Sequence, residues 1–86
     1  MIPNPVRTEA QLKFRTSRDG PLSVGIFDLF GRRVRRLLDM SSLPAGFYTV
    51  TFDGRDDDGI RLRDGVYFYQ IRSGTGLKAG RLVVMR

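Results

Sequence analysis

Apolar and polar residues alternate in short segments that are separated by turns containing glycine, proline or aspartate. The alternation is clearest in four segments, at residues 10–15, 22–27, 47–52 and 66–72. In the first of them, Ala10, Leu12 and Phe14 alternate with polar neighbours. A period of two places one face of a β-strand in a hydrophobic core and leaves the other face in solvent. The pattern therefore predicts an all-β protein.

Three further segments complete the expected strands. Residues 33–38 and 80–85 are predicted as strands, and residues 60–63 as a short strand or a connector. The pattern does not settle which residues of 33–38 face inwards, and we expect a bulge there. Strands of this length with frequent turns are typical of a sandwich. We predict one Ig-like β-sandwich of about seven antiparallel strands over residues 8–86, with residues 1–7 as a linker and the start of the first strand.

The residue types that are missing exclude several functions. The 86 residues include no histidine and no cysteine, which rules out a Cys/His zinc site, a disulfide and any catalytic unit that depends on histidine. The sequence also has no phosphate-binding loop and no nucleophile elbow. No apolar run approaches the ~18 residues of a membrane span. We expect a protein that is not an enzyme and needs no cofactor.

Two strands share a short motif. Residues 46–52 and 65–71 both read Gly-x-Tyr-x-apolar-x-apolar, and each follows a turn. The pattern predicts that Tyr48 and Tyr67 place their rings in the core and their hydroxyl groups near its rim. Phe47 and Phe68 are neighbours of these tyrosines and therefore point to the opposite face of each strand, away from the core. They are candidates for an exposed contact patch.

A turn rich in aspartate follows the strand at residues 47–52 and resembles a calcium loop. Asp53, Asp56 and Asp58 are the candidate metal ligands, because Ca²⁺ prefers carboxylate oxygens at alternating positions. The match is incomplete: Arg55 occupies a ligand position and no glutamate closes the loop. The sequence therefore favours a hairpin turn in which aspartate side chains bind backbone amides.

The net charge is +6, and the sequence has one dense basic cluster, whose four arginines are candidate anion contacts: Arg32, Arg33, Arg35 and Arg36. Neighbouring residues of a strand point to opposite faces, so the four guanidinium groups are not expected to form one patch. The sequence favours a solvated edge strand that is protected by its charges. No nucleic-acid motif accompanies the cluster, which argues against nucleic-acid binding.

In order and spacing, the segments resemble those of the FlgD-like Ig domain family and of the similar type A C-terminal sorting domains of type IX secretion cargo. The segments that carry the resemblance are residues 4–5, 22–28, 31–37, 43–48, 52–59 and 65–69, followed by Lys78 and residues 82–84. The chain departs from the family at Phe52, where the family often has tryptophan. The exchange keeps a large aromatic side chain, so we expect the same fold.

The resemblance implies a C-terminal domain of a larger exported protein, on the surface or outside of a Gram-negative bacterium, with its export signal elsewhere in that protein. Such a domain acts as a secretion-sorting and surface-attachment signal. Its partner would be the secretion machinery or a neighbouring domain of the parent protein. The residues expected to be recognised are Lys78, Gly80, Leu82, Val83, Val84 and Arg86. The alternative is a structural scaffold or stalk domain, as in a flagellar hook-capping protein.

Overall fold

A computed structural model describes residues 6–85. The described residues form six strands: β1 (Ala10–Thr16), β2 (Gly20–Phe27), β3 (Arg33–Leu43), β4 (Gly46–Phe52), β5 (Gly65–Ser73) and β6 (Gly76–Val84). All strand pairs are antiparallel. β1 and β4 form a two-stranded sheet, and the other four strands form a second sheet in the order β3-β2-β5-β6. The prediction of an all-β antiparallel protein is confirmed.

The predicted strand count was too high for the residues described. Residues 60–63 form no strand, and a single bridge joins Arg61 to Arg55. Ile60 is 64% exposed, and only Leu62 of this segment packs against the core. One inward side chain does not supply the apolar face that a strand needs. Residues 6–85 thus hold six strands rather than seven, and they contain no helix long and apolar enough to cross a membrane.

The bulge expected in the third strand is present. The pairing of β2 with β3 shifts register three times, once between Val24 and Gly25. Because of this shift, Val24 lies opposite Leu38 whereas Gly25 lies opposite Arg36. The shifts decide which β3 residues face each side of the sheet, which the alternation alone did not settle.

One hydrophobic core draws on both sheets. Its buried side chains are Val6, Ala10, Leu12, Leu22, Val24, Ile26, Phe52, Ile71, Leu82 and Val84. Three of them, Ala10, Leu12 and Phe52, come from the two-stranded sheet. Full burial of a large apolar side chain stabilises the fold by about 1.5–3 kcal/mol. The two sheets are therefore joined chiefly through this core.

Val6 lies ahead of the first strand, in the segment that the sequence assigns to the linker and the start of that strand. It is 1% exposed and forms a parallel bridge with Val84. The N–H of Val6 donates to the carbonyl of Val83 (2.7 Å), and the N–H of Met85 donates to the carbonyl of Val6 (3.0 Å). The segment before β1 therefore covers one end of the outer edge of β6.

The two Gly-x-Tyr motifs have the same geometry. The hydroxyl of Tyr67 donates to the carbonyl of Arg63 (2.8 Å), four residues earlier, and the hydroxyl of Tyr48 donates to the carbonyl of Pro44 at the same spacing. Both rings pack against the core. Each tyrosine thus ties the turn before its strand to the core, and the predicted placement of ring and hydroxyl is confirmed.

Candidate interaction surfaces

The side chains at the end of β6 belong to the core. Leu82 and Val84 are 0% and 1% exposed, and Val83 is half-buried. Arg86, the last residue expected to be recognised, lies outside the described residues. A partner cannot contact the side chains of Leu82 and Val84 while the domain is folded, whereas Leu77, Lys78 and Arg81 of the same strand are exposed.

Gly80 has a packing role in β6. It lies directly opposite Tyr69 on β5. A Cβ atom added to Gly80 would lie 2.4 Å from Cζ and from the hydroxyl oxygen of Tyr69, which is far inside van der Waals contact. The tyrosine ring therefore covers the glycine. Lys78, two residues earlier, is exposed.

Among residues 6–85, only Val6 bonds to the outer edge of β6. The bonds to Val6 show that the backbone groups of Val83 and Met85 point away from β5. Because backbone direction alternates along a strand, the N–H and C=O groups of three more residues face the same way: Leu77, Ala79 and Arg81. Within residues 6–85, no strand pairs with them. We call these three residues the open β6 edge.

The acidic turn after β4 is held by hydrogen bonds to its own backbone. Oδ1 of Asp53 accepts from the N–H of Arg55 (3.1 Å). Oδ1 of Asp56 accepts from the N–H groups of Asp58 and Ile60 (2.9 Å each). This is the aspartate-turn arrangement that the sequence favoured. Within residues 6–85, no three acidic side chains are grouped so that they could hold a metal ion.

Arg35 connects the acidic turn to β3. Its Nη1 lies 2.8 Å from Oδ1 of Asp53, and its Nε lies 4.0 Å from Oδ1 of Asp57. The N–H of Asp57 donates to the carbonyl of Val34 (3.0 Å), and Oδ1 of Asp57 accepts from the N–H of Arg36 (2.8 Å). The turn therefore covers the outer edge of β3 at this point, and the Arg35 guanidinium is the cation that its carboxylates bind.

The structure divides the four arginines of the basic cluster. Arg32 pairs with Asp28 at 3.0 Å, and Arg35 is bound by the acidic turn. Arg33 and Arg36 lie opposite Phe27 and Gly25 of β2, on the face of the sheet away from the core. The sequence expectation that the four guanidinium groups do not form one patch is consistent with this placement.

Asp28 organises the loop between β2 and β3. Its Oδ1 accepts from the N–H groups of Phe30 (2.9 Å) and Arg32 (3.0 Å), and its Oδ2 accepts from Nε of Arg32. Desolvation acts to raise the pKa of Asp28, but these hydrogen bonds and the charge of Arg32 outweigh it and hold the pKa below its ordinary value. Gly31 has a φ of 79°, in the left-handed region that favours glycine.

The aromatic residues predicted to point outwards do not form one patch. Phe47 is 84% exposed on the two-stranded sheet, whereas Phe68 is half-buried on the four-stranded sheet. Phe30, in the loop after β2, is also 84% exposed, and Cζ of Arg32 lies 5.7 Å from the centre of its ring. Phe47 and Phe68 thus lie on different sheets.

The sequence model of the FlgD Ig-like domain matches residues 6–77. The chain belongs to the FlgD Ig-like domain family. The match begins at Val6, the first described residue and a member of the core. Among curated proteins, none matches the chain.

Solved structures of two kinds resemble this FlgD Ig-like domain. Dimeric latent PorU from Porphyromonas gingivalis (27% identity, TM-score 0.70) is matched over 99% of this chain and 9% of its own. PorZ from the same organism, a bacterial surface component of the type IX secretion system, has 27% identity and a TM-score of 0.63 over 98% of this chain and 11% of its own. This chain thus spans about a tenth of the length of either protein.

FlgD from P. aeruginosa has the same fold at 18% identity, with a TM-score of 0.68 over 90% of this chain and 67% of its own. FlgD from Xanthomonas campestris, described in terms of hook capping in flagellar assembly, has 20% identity and a TM-score of 0.60 over 95% of this chain and 59% of its own.

Proposed function

We propose that this domain is a non-catalytic part of a larger exported bacterial protein, and that it acts as a secretion-sorting and surface-attachment signal through recognition by another protein. The similarity to segments of PorU and PorZ supports this role, because in both cases a unit of this size is a small part of a long chain. The proposed location is the cell surface or the exterior of a Gram-negative bacterium.

The open β6 edge is the observation that carries the proposal. An unpaired strand edge presents a row of hydrogen-bonding groups, to which a strand of another protein can add. The N–H and C=O groups of Leu77, Ala79 and Arg81 form such a row, since no strand within residues 6–85 pairs with them. Leu82 and Val84 are held in the core, so recognition of the folded domain uses the backbone of β6 and exposed side chains such as Lys78.

The test blocks the edge without disturbing the core. Deleting the end of β6 would remove Leu82 and Val84 from the core, and a loss of sorting would then report only unfolding. Ala79→Pro removes one outward N–H, a change that an edge strand tolerates. Ala79→Thr at the same position keeps the N–H and serves as the matched control.

Each variant is fused behind an exported reporter in a bacterium with a type IX secretion system, and the reporter on the cell surface is measured. We expect Ala79→Pro to reduce surface delivery about tenfold, and Ala79→Thr to leave it within about twofold of the parent, because loss of a strand addition removes several hydrogen bonds together. Circular dichroism checks that both variants fold. Equal delivery of the two variants would exclude recognition through the open β6 edge.

The second candidate is a scaffold or stalk domain. Membership of the FlgD Ig-like domain family favours it. A scaffold role predicts that the fusion is not delivered to the cell surface by this domain at all, even with the parent sequence. The reporter fused to the unaltered domain therefore separates the two candidates before any variant is made.

A further inference from the structure

A basic groove lies on the outer face of the four-stranded sheet, away from both the core and the open β6 edge. It has a volume of about 230 Å³ and runs over β3, β2 and β5. The residues that line it and that matter here are Ser23, Gly25, Arg33, Arg36, Gln70 and Arg72. We call this surface the arginine groove.

Strand register brings these residues together. Gly25, in the middle of β2, lies between Arg36 on β3 and Gln70 on β5. Two residues before Gly25 on the same face of β2, Ser23 lies opposite Arg72 of β5. Arg33 and Arg36, which are close in sequence, thus share a surface with Arg72, which is far along the chain. The basic cluster at residues 32–36 gave no sign of Arg72, because its position depends on the pairing of β2 with β5.

Gly25 makes the surface concave. It is buried although it faces away from the core, and a Cβ atom there would lie 3.2 Å from Cε1 of Phe27 and 3.5 Å from Cδ of Arg33. The missing side chain leaves a depression, and the Phe27 ring and the stem of Arg33 stand beside it. A small group that enters it would reach the cationic ends of the surrounding side chains.

Of the three arginines in the groove, only Arg36 has an ion pair among residues 6–85. Within residues 6–85, Arg33 and Arg72 make no ion pair, and the side chains of Ser23 and Gln70 make no hydrogen bond. Arg36 has a long contact with Asp39, an exposed residue of its own strand that also lines the groove, with 3.7 Å between Nε and Oδ2. Exposed pairs of this kind contribute little to stability, so a ligand can replace it.

We propose that the arginine groove binds the phosphate group of a phosphate ester, either as a free phosphorylated sugar or as a lipid headgroup. Guanidinium groups bind phosphate oxygens in pairs of parallel hydrogen bonds, and three of them can neutralise a dianion. Ser23 and Gln70 add neutral donors to the same space. This site is independent of the sorting role, since the open β6 edge is not part of it.

The test is an NMR titration of the ¹⁵N-labelled 86-residue chain at low ionic strength with three probes: inorganic phosphate, glucose 6-phosphate and vesicles of phosphatidylglycerol. The groove variant is Arg33→Gln/Arg72→Gln. The control is Arg18→Gln/Arg63→Gln, which removes the same charge from two exposed residues outside the groove. Thermal unfolding checks that both variants fold.

We expect at least one probe to shift the amide signals of Gly25 and Gln70, and the groove variant to weaken its binding about fivefold or more while the control changes it less than about twofold. A response to glucose 6-phosphate identifies a free ester as the source, and a response to vesicles alone identifies a headgroup. Equal weakening in both variants would mean attraction by net charge only, and would overturn the proposal. So would the absence of a shift at these two amides with every probe.

Discussion

Gly80 on β6 has no side chain, and the ring of Tyr69 on β5 packs into the space that a side chain would fill. The tyrosine ring occupies the space above the glycine, so the two strands stay paired while an aromatic side chain reaches over the edge strand. Gly80 was predicted as a recognition residue from the family resemblance. The structure gives it a packing role as well, so a loss of function at this position would not by itself show recognition.

Replacing Gly80 with alanine should destabilise the domain. The added methyl group would meet the ring of Tyr69, and overpacking of this kind costs about 1–3 kcal/mol. The free energy of unfolding is measured by urea denaturation. Gly74→Ala is the control, because its Cβ would make only an ordinary contact, 3.6 Å from Pro21. A destabilisation no larger in Gly80→Ala than in the control would contradict the packing role.

Asp28 should make stability depend on pH. Its pKa in the folded protein lies below the ordinary value of 3.8, so its contribution to stability is present above that pH and is lost as the pH falls through the lowered pKa. Asp28→Asn cannot ionise. The difference in unfolding free energy between the parent and this variant should therefore shrink from about pH 6 to about pH 2.

Urea denaturation at a series of pH values measures that difference. Asp64→Asn is the matched control, since Asp64 makes no side-chain hydrogen bond or ion pair within the described residues. If the Asp28→Asn difference were constant over the same range, the ionised carboxylate would not be what stabilises the loop.

The acidic turn and β3 act as one element although the chain separates them. Asp57 bonds to the outer edge of β3 through both its backbone and its side chain, and Arg35 reaches back from β3 to Asp53. This arrangement ties the four-stranded sheet to the turn that leaves the two-stranded sheet. It also covers part of an edge strand, which lowers the risk of pairing with another chain.

Arg35→Gln should weaken the attachment of the acidic turn to β3. We expect a loss of about 1 kcal/mol in unfolding free energy, since the pair with Asp53 is partly exposed, and faster hydrogen exchange at the N–H of Asp57. Arg35→Lys keeps the charge but loses the planar group and should give an intermediate result. Arg18→Gln is the control for the change in net charge. Unchanged exchange at Asp57 in Arg35→Gln would show that the turn docks without the arginine.

The core joins two sheets of unequal size, and the chain ahead of β1 completes it. The two-stranded sheet has few backbone partners, so its attachment depends on side chains such as Leu12 and Phe52. Val6 adds to the same core and also covers one end of β6. We therefore expect Val6 to contribute to the stability of β6.

Val6→Ala should destabilise the whole domain by about 1.5–2.5 kcal/mol, since two buried methyl groups are lost and a small cavity is left. Arg7→Ala, one residue later and exposed, should change stability by less than about 0.5 kcal/mol. Urea denaturation measures both. Equal effects would mean that Val6 is not part of the cooperative unit.

The sequence by itself determined most of the strands and, except in β3, their inward faces. Alternation and turn residues are local signals, so four predicted strands agree with the structure in position. β3 continues to Leu43 instead of ending at residue 38, and β6 begins earlier than predicted, at Gly76. The aspartate turn was also predicted from the sequence, because an aspartate side chain binds backbone amides two to four residues away. For residues 60–63 the sequence left a short strand and a connector open, and the structure shows a connector, since the apolar pattern there is too short for a strand.

Only the tertiary structure decided which distant residues meet. The placement of Tyr69 over Gly80, the contact of Arg35 with the acidic turn and the addition of Arg72 to Arg33 all depend on strand register. Register is set by the pairing of strands far apart in the chain and by the shifts between β2 and β3. A one-residue slip would move each side chain to the other face of its sheet.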